Sequence, residues 1–241
     1  MAKIVRRHLI NTVKQSYLKY TLLLALCTAA VVFCAVTAVY CFGITLVFIP
    51  FIVFIMLKLK RQREISAAGA RGEKRVLSLL SRLPNDFYVI TDIELVIGHK
   101  TAQMDYIIVG PTGVFVVETK NLKGNISGNA NDEMLCKTKH FGNGNSETKE
   151  FYNPIFQVST HARLLSQLLI KNGYYNEIAT CVYFSHPLSE VDLRGENPNA
   201  RVFWGNLGGD RLLMHILSYK GHELTGPKIK RLKKLIFSHC R

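Results

Sequence analysis

The chain has 241 residues, 48% of them hydrophobic, with 31 Lys and Arg against 17 Asp and Glu and a net charge of +14. That length suits one ordinary domain with added elements rather than two full domains. The six cysteines show no CxxC spacing and no Cys/His cluster, which argues against a structural zinc motif and a disulfide framework and fits a reducing compartment.

Residues 1–20 form a basic N-terminus carrying Lys3, Arg6, Arg7, Lys14 and Lys19, and no acidic residue precedes Glu64. Without those five cations the rest of the chain still holds a charge of +9, so its soluble part is itself basic. Such a surface favours polyanions: nucleic acid or acidic lipid headgroups.

Residues 21–57 contain no charge at all. One helix of that length would span roughly 55 Å, against about 30 Å of bilayer hydrocarbon. Two transmembrane helices fit better, with a break near Tyr40-Cys41-Phe42-Gly43. Basic residues flank both ends, so the positive-inside rule predicts a hairpin with both flanks in the cytoplasm. A single tilted span is the alternative. The run is too long, and its basic leader too extended, for a cleaved signal peptide. These features predict a protein of the bacterial inner membrane, in contact with the bilayer and, through its basic flanks, with anionic headgroups.

A basic linker, 58–65, leads to a domain over 66–241. Val76, Leu77, Leu80 and Leu83 recur at helical spacing within a helix predicted over 66–82. Strands are predicted over 87–95, 103–109 and 114–120. The polar, Gly- and Asn-rich stretch 121–152 reads as a long loop with at most one hairpin. Asn153-Pro154 reads as cap and first residue of a helix running to about Lys171. Strands over 178–184 and 201–204 and helices over 208–219 and 226–238 complete the order. Lys228, Lys230, Arg231, Lys233 and Lys234 crowd the last helix, a solvated face or a phosphate-contacting patch.

Gly110-Pro111-Thr112-Gly113 is a turn signal joining two strands. Val109 would then pair with Val114, Ile107 with Val116 and Asp105 with Glu118, and Lys120 would share their face. Met104, Tyr106 and Ile108 would line the other face. Two opposed carboxylates repel in a sheet that is otherwise apolar. A divalent cation such as Mg²⁺ would offset that repulsion, polarise a phosphate and help to generate hydroxide, with a lysine nearby to hold the water. Glu73 lies in register with the apolar face of the first helix. Gln157 and His161 share one face of the Asn153-Pro154 helix with Leu164 and Leu168. Gln157 is placed to bond a carboxylate or a phosphate, and His161 is set aside as a ligand.

Residues 69–165 resemble the nuclease-related domain, NERD, a branch of the PD-(D/E)xK nuclease superfamily. The resemblance lies in GARGE (69–73), QMDYIIVGPTGVFVVETKN (103–121), Gly124 and NPIFQ (153–157). It implies an α/β fold with a restriction-endonuclease-like αβββαβ core, a mixed sheet flanked by helices, here preceded by the transmembrane hairpin and followed by a helical extension. It implies cleavage of DNA dependent on Mg²⁺ or Mn²⁺, with RNA left open. It assigns Glu73, Asp105, Glu118, Lys120 and Gln157 to the catalytic site, and Glu73, Asp105 and Glu118 to the metal. Two departures leave substrate preference open: Tyr106 follows the Asp where similar sequences often have His, and no aromatic follows Gly124 where one is expected. The competing reading is a catalytically silent nuclease fold that binds nucleic acid or a protein partner at the membrane.

Overall fold

The computed structural model describes residues 1–6, 12–37, 48–98, 100–142, 144–175, 177–221 and 223–240. The chain divides into two compact units, one of Met1–Leu9 with Lys74–Arg241, the other of Ile10–Glu73.

The smaller unit is helical. α1 (Thr12–Thr37) contains a stretch, Gln15–Thr37, long and apolar enough to cross a membrane. The hydroxyls of Thr21, Thr28 and Thr37 donate to carbonyls four residues back, hiding polar groups in an apolar helix. The predicted break at residues 40–43 lies outside the described residues. α2 (Ile49–Leu80) starts in the apolar run and continues without interruption through residues 58–65, read from the sequence as a linker. Residues 58–68 are rich in Lys, Arg, Glu and Ala and contain no Gly or Pro, so helix propagates through them. Near the base of this unit Arg63 donates to the Tyr17 hydroxyl at 2.7 Å, with its guanidinium 5.0 Å from that ring.

The larger unit is built on two mixed sheets. The first has six strands: β1 (Lys3–Arg6), β2 (Tyr88–Ile97), β3 (Lys100–Gly110), β4 (Gly113–Lys120), β8 (Ile178–Phe184) and β10 (Arg201–Trp204), side by side in that order. β2, β3 and β4 are antiparallel; β1, β8 and β10 join in parallel. On one face lie α3 (Pro154–Lys171) and α5 (Gly226–Ser238), packed with Val114, Val116 and Ile107. On the other lie the end of α2 and α4 (Gly208–Ser218), against Ile108, Phe115 and Val117. The order α2-β2-β3-β4-α3-β8 is the expected αβββαβ core.

Two parts of the sequence reading are corrected. Residues 121–152 hold three strands, not one long loop: β5 (Gly124–Asn129), β6 (Met134–His140) and β7 (Ser146–Tyr152). With β9 (Ser189–Arg194) they make a second sheet, ordered β7-β6-β5-β9. Its outer strand β7 is mostly exposed, so the apolar alternation that betrays a half-buried strand is missing there. Met104 is the second correction. It packs on the face of Ile107, not with Tyr106 and Ile108. On β2 the same slip puts Ile90 and Ile93 on one face. The slip centres on Asp92, whose φ is 55°, and on its missing ladder partner Asp105.

The Asn153 prediction holds. Its side chain accepts from Ile155 N at 3.0 Å, and its amide donates to the carbonyls of Ala130 and Asp132, while the residue is wholly buried. Asn153→Ala is expected to destabilise the full chain by about 2 kcal/mol, the loss of a cap together with two side-chain hydrogen bonds, one of them to the Ala130 carbonyl that Asn197 also serves. Guanidinium denaturation in detergent would measure it.

Candidate active site

The turn that sets the site's register is fixed by sterics. A Cβ at Gly110 would overlap the Phe87 ring, and Gly113 has a φ of 144°. Thr112 Oγ1 donates to the Ile216 carbonyl and Leu224 N to the Pro111 carbonyl, so both turn residues are held. From there Val109 pairs with Val114, Ile107 with Val116 and Tyr106 with Val117, in the predicted register. The ladder then stops one pair short of Asp105 and Glu118. The Thr119 amide donates to Asp105 Oδ2 at 2.8 Å, and the Thr119 hydroxyl donates to the same oxygen at 3.0 Å. A side chain has taken the donor a backbone carbonyl would have used, so β3 and β4 part where the acidic residues stand.

Glu118 is only 2% exposed. Lys120 Nζ donates to its Oε1 at 2.8 Å and to Gln157 Oε1 on α3 at 3.0 Å. An ammonium has three donors, so one remains for a water or a phosphate oxygen. Glu118 Oε2 is buried without a hydrogen-bond partner, 3.6 Å from Nδ1 of buried His161, which also lacks one. Burial, then the Asp105 charge, push the Glu118 carboxyl from its ordinary 4.5 up to about 7, although Lys120 pulls the other way. Burial holds His161 below its usual range, although the Asp105 charge pulls the other way.

Glu118, Lys120 and Gln157 thus meet in one bonded cluster, with Asp105 close enough to act on Glu118. Glu73 belongs to the smaller unit, half-buried on α2, three residues before Val76. His161, which the sequence placed on the inner face of α3 but set aside, lies against Glu118. Thr119 was missed, because nothing in a strand sequence signals that its amide will be taken by a side chain.

The donor chemistry here suits a hard cation. Two carboxylates lie together, one with an orphaned buried oxygen, and oxygen ligands are what Mg²⁺ and Mn²⁺ prefer. Among the described residues no three His, Cys, Asp or Glu groups are gathered to enclose a metal. Such an ion would keep several waters.

A family profile described as a nuclease-related domain matches residues 68–185. An uncharacterized protein of Bacillus anthracis is 36% identical over 104 residues, covering 42% of this chain and 46% of that protein. The chain therefore matches less than half the length of this curated relative. No solved structure matches it.

Proposed function

From the match of residues 68–185 to the nuclease-related domain profile, we propose that the chain is a membrane-anchored, divalent-metal-dependent phosphodiesterase that cleaves DNA at the cytoplasmic face of the membrane. The observation that carries this reading is Glu118: a buried carboxylate tied to Lys120 and Gln157, with one oxygen unpaired and Asp105 beside it. Mg²⁺ or Mn²⁺ held by Asp105 and Glu118 would neutralise that pair and polarise a phosphate oxygen. The chain's own groups do the rest. Gln157 and Glu118 fix the Lys120 ammonium, whose remaining N–H can orient a water or stabilise negative charge growing on the phosphate. Thr119 holds Asp105 in place, and the burial that lowers the His161 pKa disfavours a second positive charge beside Glu118 Oε2. The full chain in detergent is expected to nick DNA with Mg²⁺ or Mn²⁺ and to stop with EDTA. Binding to DNA or RNA without cleavage under either metal would instead favour the silent binding module.

The anchor is proposed as a two-span hairpin. β1 precedes α1, yet it pairs with β2 and belongs to the same compact unit as residues 74–241. Both ends of the apolar segment therefore lead to one folded body, which favours an even number of crossings. The Arg63–Tyr17 contact pairs the foot of α1 with the middle of α2, as two helices packed side by side would. An aromatic and a cation are also the side chains expected at a membrane interface. Single cysteines at the exposed Lys3 and Lys230 are expected to be equally shielded from an impermeant thiol reagent in intact cells. Labelling of one and not the other would leave only the single span.

A further inference from the structure

Beyond Lys120 the two sheets are joined by a narrow ribbon. β4 and β8 end side by side at Lys120 and Phe184, and both strands run on together. Ser185 N donates to the Lys120 carbonyl at 3.0 Å, Ser189 Oγ to the Leu122 carbonyl and Gly124 N to the Leu188 carbonyl. The second sheet then starts with Gly124 beside Ser189. Four cationic or ionisable side chains converge on this ribbon from four elements. Lys123 is exposed on the β4–β5 connection, and half-buried His186 follows β8. Arg75 of α2 reaches across to donate to the Ser185 carbonyl at 2.8 Å. Lys139 of β6 lies over Gly124, where an added Cβ would stand 3.5 Å from its Cγ.

Among the described residues no salt bridge engages Arg75, Lys123 or Lys139, and Glu147, opposite Lys139 on β7, is bridged to Lys149 at 2.6 Å. Burial lowers the His186 pKa first, and every charge that then acts on the ring, from Arg75, Lys123 and Lys139, is positive. Like charges so placed repel unless a polyanion comes between them.

We infer that Arg75, Lys123, Lys139 and His186 form a track for the phosphate backbone of DNA, laid along the ribbon between the sheets and ending at Lys120. The inference rests on the nuclease reading for the meaning of its end point, but not for the binding itself. A backbone held here runs directly to the uncommitted donor of Lys120, and the second sheet becomes a wing that guides the strand. An anionic bilayer would meet the same charges, but a lipid headgroup has no need of a row ending at a buried carboxylate.

The test is binding of a short DNA duplex to the full chain in detergent, by fluorescence anisotropy in EDTA across a salt titration. Lys123→Ala and Lys139→Ala are each expected to reduce the slope of log K against log salt by about 1. Lys123→Glu should weaken binding more than Lys123→Ala, which loss of packing at an exposed side chain would not do. Lys230→Ala on α5 serves as control and should leave the slope unchanged. A double Lys123/Lys139 variant with wild-type affinity and slope would overturn the track. So would one that loses only its binding to phosphatidylglycerol vesicles. Because no metal is present, a chain that binds through these residues but never cuts keeps the track and rejects the nuclease.

Discussion

Lys120→Met is expected to lower DNA cleavage by about 10²–10³-fold, the usual loss when a donor to developing negative charge is removed. It should also destabilise the metal-free protein, and only at high pH. Lys120 is the one group that lowers the Glu118 pKa, by charge and by hydrogen bond. Without it the carboxylate is buried with no cation at either oxygen. The carboxyl can answer the loss by taking up a proton, so with a wild-type value of about 7 the part of the loss tied to its charge is limited to about 1.4 kcal/mol at pH 8. At pH 5 Glu118 carries a proton and most of that loss vanishes. Denaturation of the variant at pH 5 and pH 8 measures the difference. Equal losses at both would mean that Lys120 acts through packing alone.

Glu118→Gln should abolish cleavage to a similar degree and move stability in the opposite direction. A carboxyl raised from 4.5 to about 7 holds its proton more tightly in the folded chain than in the unfolded one. The folded state is therefore favoured below about pH 4.5, and that advantage fades as pH rises to about 7. Above pH 7 the metal-free fold bears a cost of about 3 kcal/mol that the neutral amide escapes. The variant should be more stable than wild type at pH 8 in EDTA and no more stable at pH 4.5. Added Mg²⁺ should stabilise wild type at pH 8 and leave the Gln variant unmoved. If Mg²⁺ stabilised both equally, Glu118 would not be a metal ligand. Lys120→Met and Glu118→Gln thus both silence the reaction yet shift stability with opposite signs, which a generally damaged fold could not produce.

The sequence carried the site's frame well where local chemistry is strong. Asn153-Pro154 specifies a cap and a first helical turn, and α3 begins there. Gly110-Pro111-Thr112-Gly113 can close only a tight turn, and that turn fixed which residues of β3 and β4 meet. Gln157 and His161 came to the inner face by helical spacing alone. What stayed hidden depends on partners far along the chain. β1 is four residues long and becomes a strand only because β2 receives it. β5, β6 and β7 are polar, with no core-facing stripe, and become a sheet only with β9 some way further on. The slip at Asp92 and Asp105 was also illegible, because a period-two reading assumes an uninterrupted pleat. It moved Met104 to the other face, and at the same break the Asp105 carboxylate captures the Thr119 amide.

The pairing of β1 with β2 has a consequence for biosynthesis. Lys3 leaves the ribosome long before its partner Tyr88, and the whole apolar segment is made between them. Closing a flexible loop of roughly 80 residues would cost about 4 kcal/mol in chain entropy. Helix formation in α1 and α2 shortens that loop and reduces the cost. The edge strand is therefore favoured to find its place after α1 and α2 have become helical, and on the proposed anchoring that step would be insertion. A chain that failed to insert would display an unpaired β2 edge, the feature on which aggregation and proteolysis act. If the chain is anchored as proposed, its first six residues would then report on whether the apolar helices have reached the bilayer, and a mislocalised chain would also be an incompletely folded one.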